Sequence, residues 1–179
     1  MLVAIDTRVQ AYQSLATGVC SGAKVIIIEQ DGDAIAQITA ALREYPSDSL
    51  HIVCHGEPGT LYLGKTPIDW SNLEQYRHQL QKWQVTDILL YACSVAADLT
   101  PNPLSCNERG LLATIDTSTP PSPRRGGGQG GRGFLHRLHQ LTGANIAARA
   151  NRVGNAFQGG TWHLEHRLGN IASPLAFLP

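Results

Sequence analysis

Two short segments hold the residue types that nucleophilic chemistry needs. Cys54-His55-Gly56-Glu57 follows the apolar run 50–53 (LHIV), and Ala92-Cys93-Ser94-Val95 follows the run 87–91 (DILLY). Both runs are short and apolar, as strands buried on two faces are. In an open α/β sheet, functional groups gather in loops beyond the carboxyl ends of the strands. That rule brings His55 and Cys93, 38 positions apart, to one sheet edge. The stretch between them is long enough for a right-handed parallel crossover. A thiol attacks as its thiolate, and a free cysteine with a pKa of about 8.5 is mostly protonated at neutral pH. An imidazole across the groove can take that proton and return it to a leaving amine. The amides from Ser94 onward are expected to open a helix whose positive end favours the thiolate. Gly56, lacking Cβ, lets a backbone N–H approach a developing oxyanion. The competing reading makes Cys93 a small buried hydrophobe and His55 an ordinary loop residue.

Other residues are candidate partners or rivals. Asp6, Glu57 and Asp98 are candidates for a third group orienting His55 or for a carboxylate lining a specificity pocket. Cys54 sits at a strand end, where burial is expected rather than a second nucleophile, and Cys20 and Cys106 have no partner nearby in sequence. His136 with His139, and His163 with His166, have i, i+3 spacing. Imidazole is a good zinc ligand, but positions i and i+3 of a strand point to opposite faces, so no metal and no cofactor is expected. The glycine run 126–133 has no preceding strand and no following Lys-Ser/Thr, and so is no phosphate loop. Trp70, Trp83 and Trp162 read as core or groove walls rather than as a binding cage. Nothing supports a preference for Arg or Lys substrates.

The elements that must position these residues alternate regularly. Strands are predicted at 2–5, 24–29, 50–53, 87–91 and 144–148. Helices are predicted at 8–16, from an N-cap at Asp33 to Tyr45, and from a cap at Ser71 through Leu73, Tyr76, Leu80 and Trp83. A small hairpin is expected over 60–68 around Gly64, and a final helix over 134–141 ending at Gly143. The tail around Trp162 and Leu164 alternates like an edge strand or hairpin. Strands alternating with helices predict an α/β fold, with a mostly parallel central sheet flanked by helices in three layers.

One segment stands apart. Residues 100–133 hold five of the ten prolines, seven of the eighteen glycines, and four arginines against two acids. Such a composition cannot offset its ordering entropy by apolar burial. The prediction is a single domain over 1–179 interrupted at 100–133 by a disordered, low-complexity insertion, with a substrate lid or processing loop as the functional alternative.

Charge and length narrow the classes of function. The 179 residues carry 14 Lys+Arg against 14 Asp+Glu, are 42% hydrophobic and only 16% charged. A net charge of zero gives no electrostatic footprint for nucleic acid or an anionic membrane, and no apolar run reaches the roughly 20 residues of a membrane span. Four cysteines without CxxC spacing read as free thiols. The opening Met1-Leu2-Val3-Ala4 has no basic n-region, so a cytoplasmic location is expected.

The residues also resemble a known superfamily. Strand-His-Gly followed by strand-Ala-Cys-Ser is similar to the signature of the caspase-like cysteine peptidases, which include metacaspases, gingipains, clostripain, legumain, separase and toxin autoprocessing domains. Further stretches resemble one bacterial domain of unassigned function that opens very large secreted proteins of cyanobacteria and proteobacteria bearing cadherin-like and calcium-binding repeats. They are 6–9 (DTRV), 51–59 (HIVCHGEPG), 61–64 (LYLG), 89–97 (LLYACSVAA), 141–148 (LTGANIAA) and 159–171 (GGTWHLEHRLGNI). The resemblance implies a caspase-like fold, Cys93 as nucleophile, His55 as general acid/base, and the amides of Gly56 and Cys93 as an oxyanion hole. It implies a peptide or protein substrate, including the parent chain itself. In relatives the cysteine loop runs into a helix; here that helix is split into 94–99 and 134–141 by the insertion. An inactive copy, serving as an interaction or adhesin-associated module, is therefore the alternative.

Overall fold

A computed structural model describes residues 1–97, 130–153 and 161–177. The chain runs β1 (Leu2–Asp6), α1 (Tyr12–Thr17), β2 (Lys24–Ile28), α2 (Ala34–Glu44), β3 (Ser49–Val53), β4 (His55–Glu57), β5 (Thr60–Tyr62) and β6 (Ile68–Asp69). A 3-10 turn (Leu73–Tyr76), α3 (Arg77–Leu80), β7 (Asp87–Tyr91), α4 (Gly131–Thr142), β8 (Asn145–Ala148) and β9 (His166–Leu168) complete it. The main sheet has the order β2-β1-β3-β7-β8-β9, parallel throughout except for β9, which runs antiparallel to β8. The mostly parallel α/β sheet predicted from the alternating pattern is present. β1, β3 and β7 are buried at all five positions, as strands covered on both faces must be.

Alternation along each strand splits the core in two. Leu2, Ala4, Leu50, Ile52, Ile88 and Leu90 face α2, α3 and α4, meeting Ile38, Leu80 and Phe134. Val3, Ile5, Val53, Leu89 and Tyr91 face the other way, toward Leu164, Ala176 and Phe177, with Tyr12 and Leu15 of α1 packed against them. This second face is thinly covered: α1 has six residues, none fully buried. Further cover comes from Val9, Val19 and Val153 and from the closing segment 161–177.

Asp33 caps α2 as predicted, its Oδ1 accepting the Ala36 N–H at 3.0 Å. Other expectations need correction. The helix expected over 8–16 is only Tyr12–Thr17, preceded by Ala11 at φ 56°. Ser71 caps nothing: its hydroxyl donates to Asp69 at 2.6 Å. The helix predicted after it is a 3-10 turn followed by four α residues. The hairpin around Gly64 gains a strand, because β4 also pairs with β5 to give the order β4-β5-β6. The helix expected over 94–99 is a set of turns over 93–96 with Ser94 at φ 57°. α4 begins at Gly131, so residues 131–133, expected in the insertion, are helical. The rest of the predicted insertion, apart from Gly130, lies outside the described residues, as do Asp98 and Cys106.

The strand order creates the site. From β1 the chain moves outward to β2, then returns past β1 to β3 on its other side. At such a reversal the carboxyl-end loops diverge and leave a crevice.

Candidate active site

A groove of about 640 Å³ occupies that crevice. Each of the strands β1, β3, β7 and β8 delivers part of its wall from just beyond its carboxyl end: Val9, His55, Cys93 and Val153 respectively. Tyr91, Trp162 and Leu15 make the apolar surfaces between them. His55 and Cys93, placed at one edge by sequence, line the same groove.

Cys93 lies two residues past β7 and is half-buried. Its Sγ accepts the Val153 N–H at 3.4 Å, and the thiol in turn faces the Val153 carbonyl at 3.9 Å. A single amide dipole thus stands where a helix terminus was expected. The turn is held by distant backbone: Ser94 N–H donates to the Asn151 carbonyl at 2.9 Å and Ala96 N–H to that of Arg149 at 3.0 Å. Gly59 N–H donates to Val95 at 3.1 Å, and Gly131 N–H donates to Ala97 at 2.8 Å. The loop after β8, the β4–β5 turn and the start of α4 therefore all grip the cysteine loop.

His55 opens β4 with an exposed ring whose Nε2 donates to the Arg8 carbonyl at 3.0 Å. A carbonyl only accepts, so Nε2 carries a proton, and in the neutral ring Nδ1 is the nitrogen with the lone pair. Gly56 is required sterically. A Cβ there would stand 2.8 Å from the Cβ of Ala92 and 2.9 Å from the Cys93 carbonyl oxygen, closer than real side chains approach. The His-Gly strand and the Ala-Cys loop are in backbone contact through that missing atom.

The rivals fall elsewhere. Asp6 is fully buried and does not touch His55; its carboxylate is taken by Arg8 and by the Gly64 N–H. Burial alone would raise this carboxyl, but the Arg8 fork and the two N–H donors outweigh it and hold it low. Glu57 lies beside Tyr62, whose hydroxyl it pushes up. Cys54 is buried, and desolvation raises its thiol far above the ordinary range, which removes it as a second nucleophile. Cys20 donates its thiol to the Leu175 carbonyl at 3.6 Å. His139 binds the Ala144 carbonyl at 2.7 Å, while His136 and His166 line a separate small cleft with Arg132 and Arg167. Among the described residues no group of three or more metal-ligating side chains occurs. Trp83 is core, its Nε1 donating to Thr39 at 2.8 Å, whereas Trp162 is groove wall.

Sequence reasoning missed Arg8 and Val153, because each acts through its backbone and a backbone contact leaves no residue signature. It also missed His51, which is fully buried under the groove floor. The His51 ring stacks on Tyr91 at 5.9 Å with Nδ1 3.4 Å from the Tyr91 hydroxyl and Nε2 3.2 Å from Ser49 Oγ. Tyr91 itself accepts the Ala176 N–H at 3.1 Å, so its own proton is free to go to His51 Nδ1. Burial lowers His51 to about 4 and raises Tyr91 to about 12.

Fold and groove define an α/β domain with a mostly parallel sheet, carrying a cysteine and a histidine on one crevice at its strand ends. Within that class the chain belongs to the family described as a domain of unknown function (DUF4347), which it matches over residues 2–104 and 124–179. Among solved structures, caspase-1 from Spodoptera frugiperda is similar at 13% identity and a TM-score of 0.36, over 90% of this chain and 65% of that one. The chain thus spans less than two thirds of that protein's length. No curated protein matches. No helix among the described residues is long and apolar enough to cross a membrane.

Proposed function

We propose that this domain is a caspase-like cysteine endopeptidase, with Cys93 as nucleophile and His55 as general acid/base, acting on peptide or protein substrates including its own parent chain. One observation carries the reading. His55, with Nε2 tied to the Arg8 carbonyl, and Cys93, with Sγ facing the Val153 amide, line one groove and are joined by the close packing of Gly56.

In the reaction His55 Nδ1 takes the Cys93 proton and Sγ bonds to the substrate carbonyl carbon. The oxyanion that forms lies against the Gly56 and Cys93 amides. The C–N bond then breaks and His55 gives its proton to the leaving amine. Water, deprotonated by His55, attacks the thioester carbon; the C–S bond breaks and the thiol is restored. Neither cofactor nor metal enters this scheme.

The test exposes wild type, Cys93→Ala and His55→Ala to a proteome-derived peptide library, reading new termini and self-cleavage by mass spectrometry. Cuts made by the wild type and lost in both variants are the expected result. Identical empty profiles from folded proteins would overturn it. A catalytically silent interaction module is the second reading, favoured by one observation: Cys93 opens a turn rather than a helix, so it lacks the terminal dipole that activates many nucleophilic thiols.

A further inference from the structure

We infer that Asp6 is a positioning residue for His55, acting through Arg8, an inference that rests on reading His55 and Cys93 as a working pair. Asp6 ends β1 with its side chain fully buried. A carboxylate there is tolerated only with its lone pairs engaged. Oδ1 accepts the Arg8 N–H at 2.9 Å and Arg8 Nε at 2.9 Å; Oδ2 accepts Arg8 Nη2 at 2.8 Å and the Gly64 N–H at 2.8 Å. Arg8 Nη2 also donates to the Gly64 carbonyl at 2.9 Å. The Arg8 residue is thereby held at its own amide and at its guanidinium fork, which leaves its carbonyl in a fixed direction. That carbonyl is the group His55 Nε2 donates to at 3.0 Å.

A second route runs from the same carboxylate. Gly64 follows β5 by two residues, and Tyr62 of β5 is the strand partner of His55. Asp6 therefore anchors both the acceptor that orients the imidazole and the hairpin that carries its backbone. A fixed Nε2–H tautomer leaves Nδ1 as the base. Asp6 touches neither His55 nor any reacting atom; its effect is geometric. Displacements of about 1 Å in such positioning cost on the order of 100-fold in rate.

The experiment records 15N imidazole NMR of His55, together with the pH profile of Cys93 alkylation by iodoacetamide, in wild type, Asp6→Asn and Arg8→Lys. Wild type is expected in the Nε2–H tautomer. Asp6→Asn is expected to mix tautomers and to slow alkylation at pH 7 by about 10–100-fold, with a changed pH profile. Arg8→Lys keeps the charge but not the fork, and is expected to fall between them. An Nδ1–H tautomer in wild type would overturn the inference even if Asp6→Asn did not fold. So would unchanged tautomer and profile in folded variants, or a changed tautomer with alkylation untouched. Neither readout requires peptide cleavage: if both signals move and no peptide is cut, the peptidase reading fails while the positioning role stands.

Discussion

At the scale of single residues, Gly56 shows how steric and chemical demands fall on one position. The oxyanion role proposed for it rests on the His-Gly pair, since a residue without Cβ admits an oxyanion. The steric demand was not legible there, because the neighbours that exclude a Cβ are Ala92 and Cys93, 36 and 37 positions away. Both contacts come from the cysteine loop, and the backbone oxygen of Cys93 cannot rotate aside. Gly56→Ala is therefore expected to destabilise the domain by about 1–3 kcal/mol, the usual cost of overpacking, read as a lowered urea midpoint. Because relief requires the loops to separate, Cys93 alkylation in the folded variant should also change. A lowered midpoint with an unchanged alkylation rate would mean that the strain is relieved away from the site.

At the scale of elements, the legible ones were those whose own residues decide them. β2, β3, β7 and β8 are apolar runs, and α2 has a capping Asp33 followed by a periodic apolar face. The segments that depart from their sequence pattern are decided by remote partners. Ser94 enters a left-handed turn because Asn151 and Arg149 take the amides of Ser94 and Ala96, an attachment that local propensity cannot reveal. Nor did the residues mark where α4 starts, since Gly131 looks like more of a glycine-rich tract. In the fold it is a docking point: its N–H donates to Ala97. A Cβ there would stand 2.2 Å from the Val95 carbonyl oxygen and 2.6 Å from that of Ala97. Alanine is the better helix former by about 1 kcal/mol, so propensity alone forecasts that Gly131→Ala stabilises. The contacts forecast the reverse, a loss of about 1–3 kcal/mol, and denaturant unfolding of that one variant separates local from tertiary control.

At the scale of the whole molecule, the parallel sheet and its carboxyl-edge crevice followed from strand alternation, but the covering of its second face did not. That face is closed by the segment 161–177, held where Asp87 accepts from Ala172 N–H at 3.1 Å, Ser173 N–H at 2.9 Å, Ser173 Oγ at 2.7 Å and Asn145 Nδ2 at 2.9 Å. Phe177 of this segment stacks on Trp162 at 4.5 Å and meets Tyr91 edge-on, so groove wall and closing segment are one packed unit. Its stability should depend on pH in two stages. Burial depresses His51, with the N-terminal amine pushing the same way and Asp87 opposing. The unfolded chain therefore binds a proton below about pH 6.5 that the fold refuses until about pH 4. Stability falls through that window by up to about 3 kcal/mol. Asp87 and Asp6 act lower: burial raises each carboxyl, but the donors outweigh it and leave both below the ordinary value. Their contribution is present above the unfolded carboxylate pKa of about 3.9 and disappears as pH falls through the lower folded value. Urea midpoints measured from pH 8 to 3 should show a first decline below pH 6.5 that is absent in His51→Gln, and a second near pH 4 and below. Asp87→Asn should lose about 1–3 kcal/mol at pH 7 and much less at the acid end. An identical first decline in His51→Gln would place the acid sensitivity outside the face that the closing segment seals.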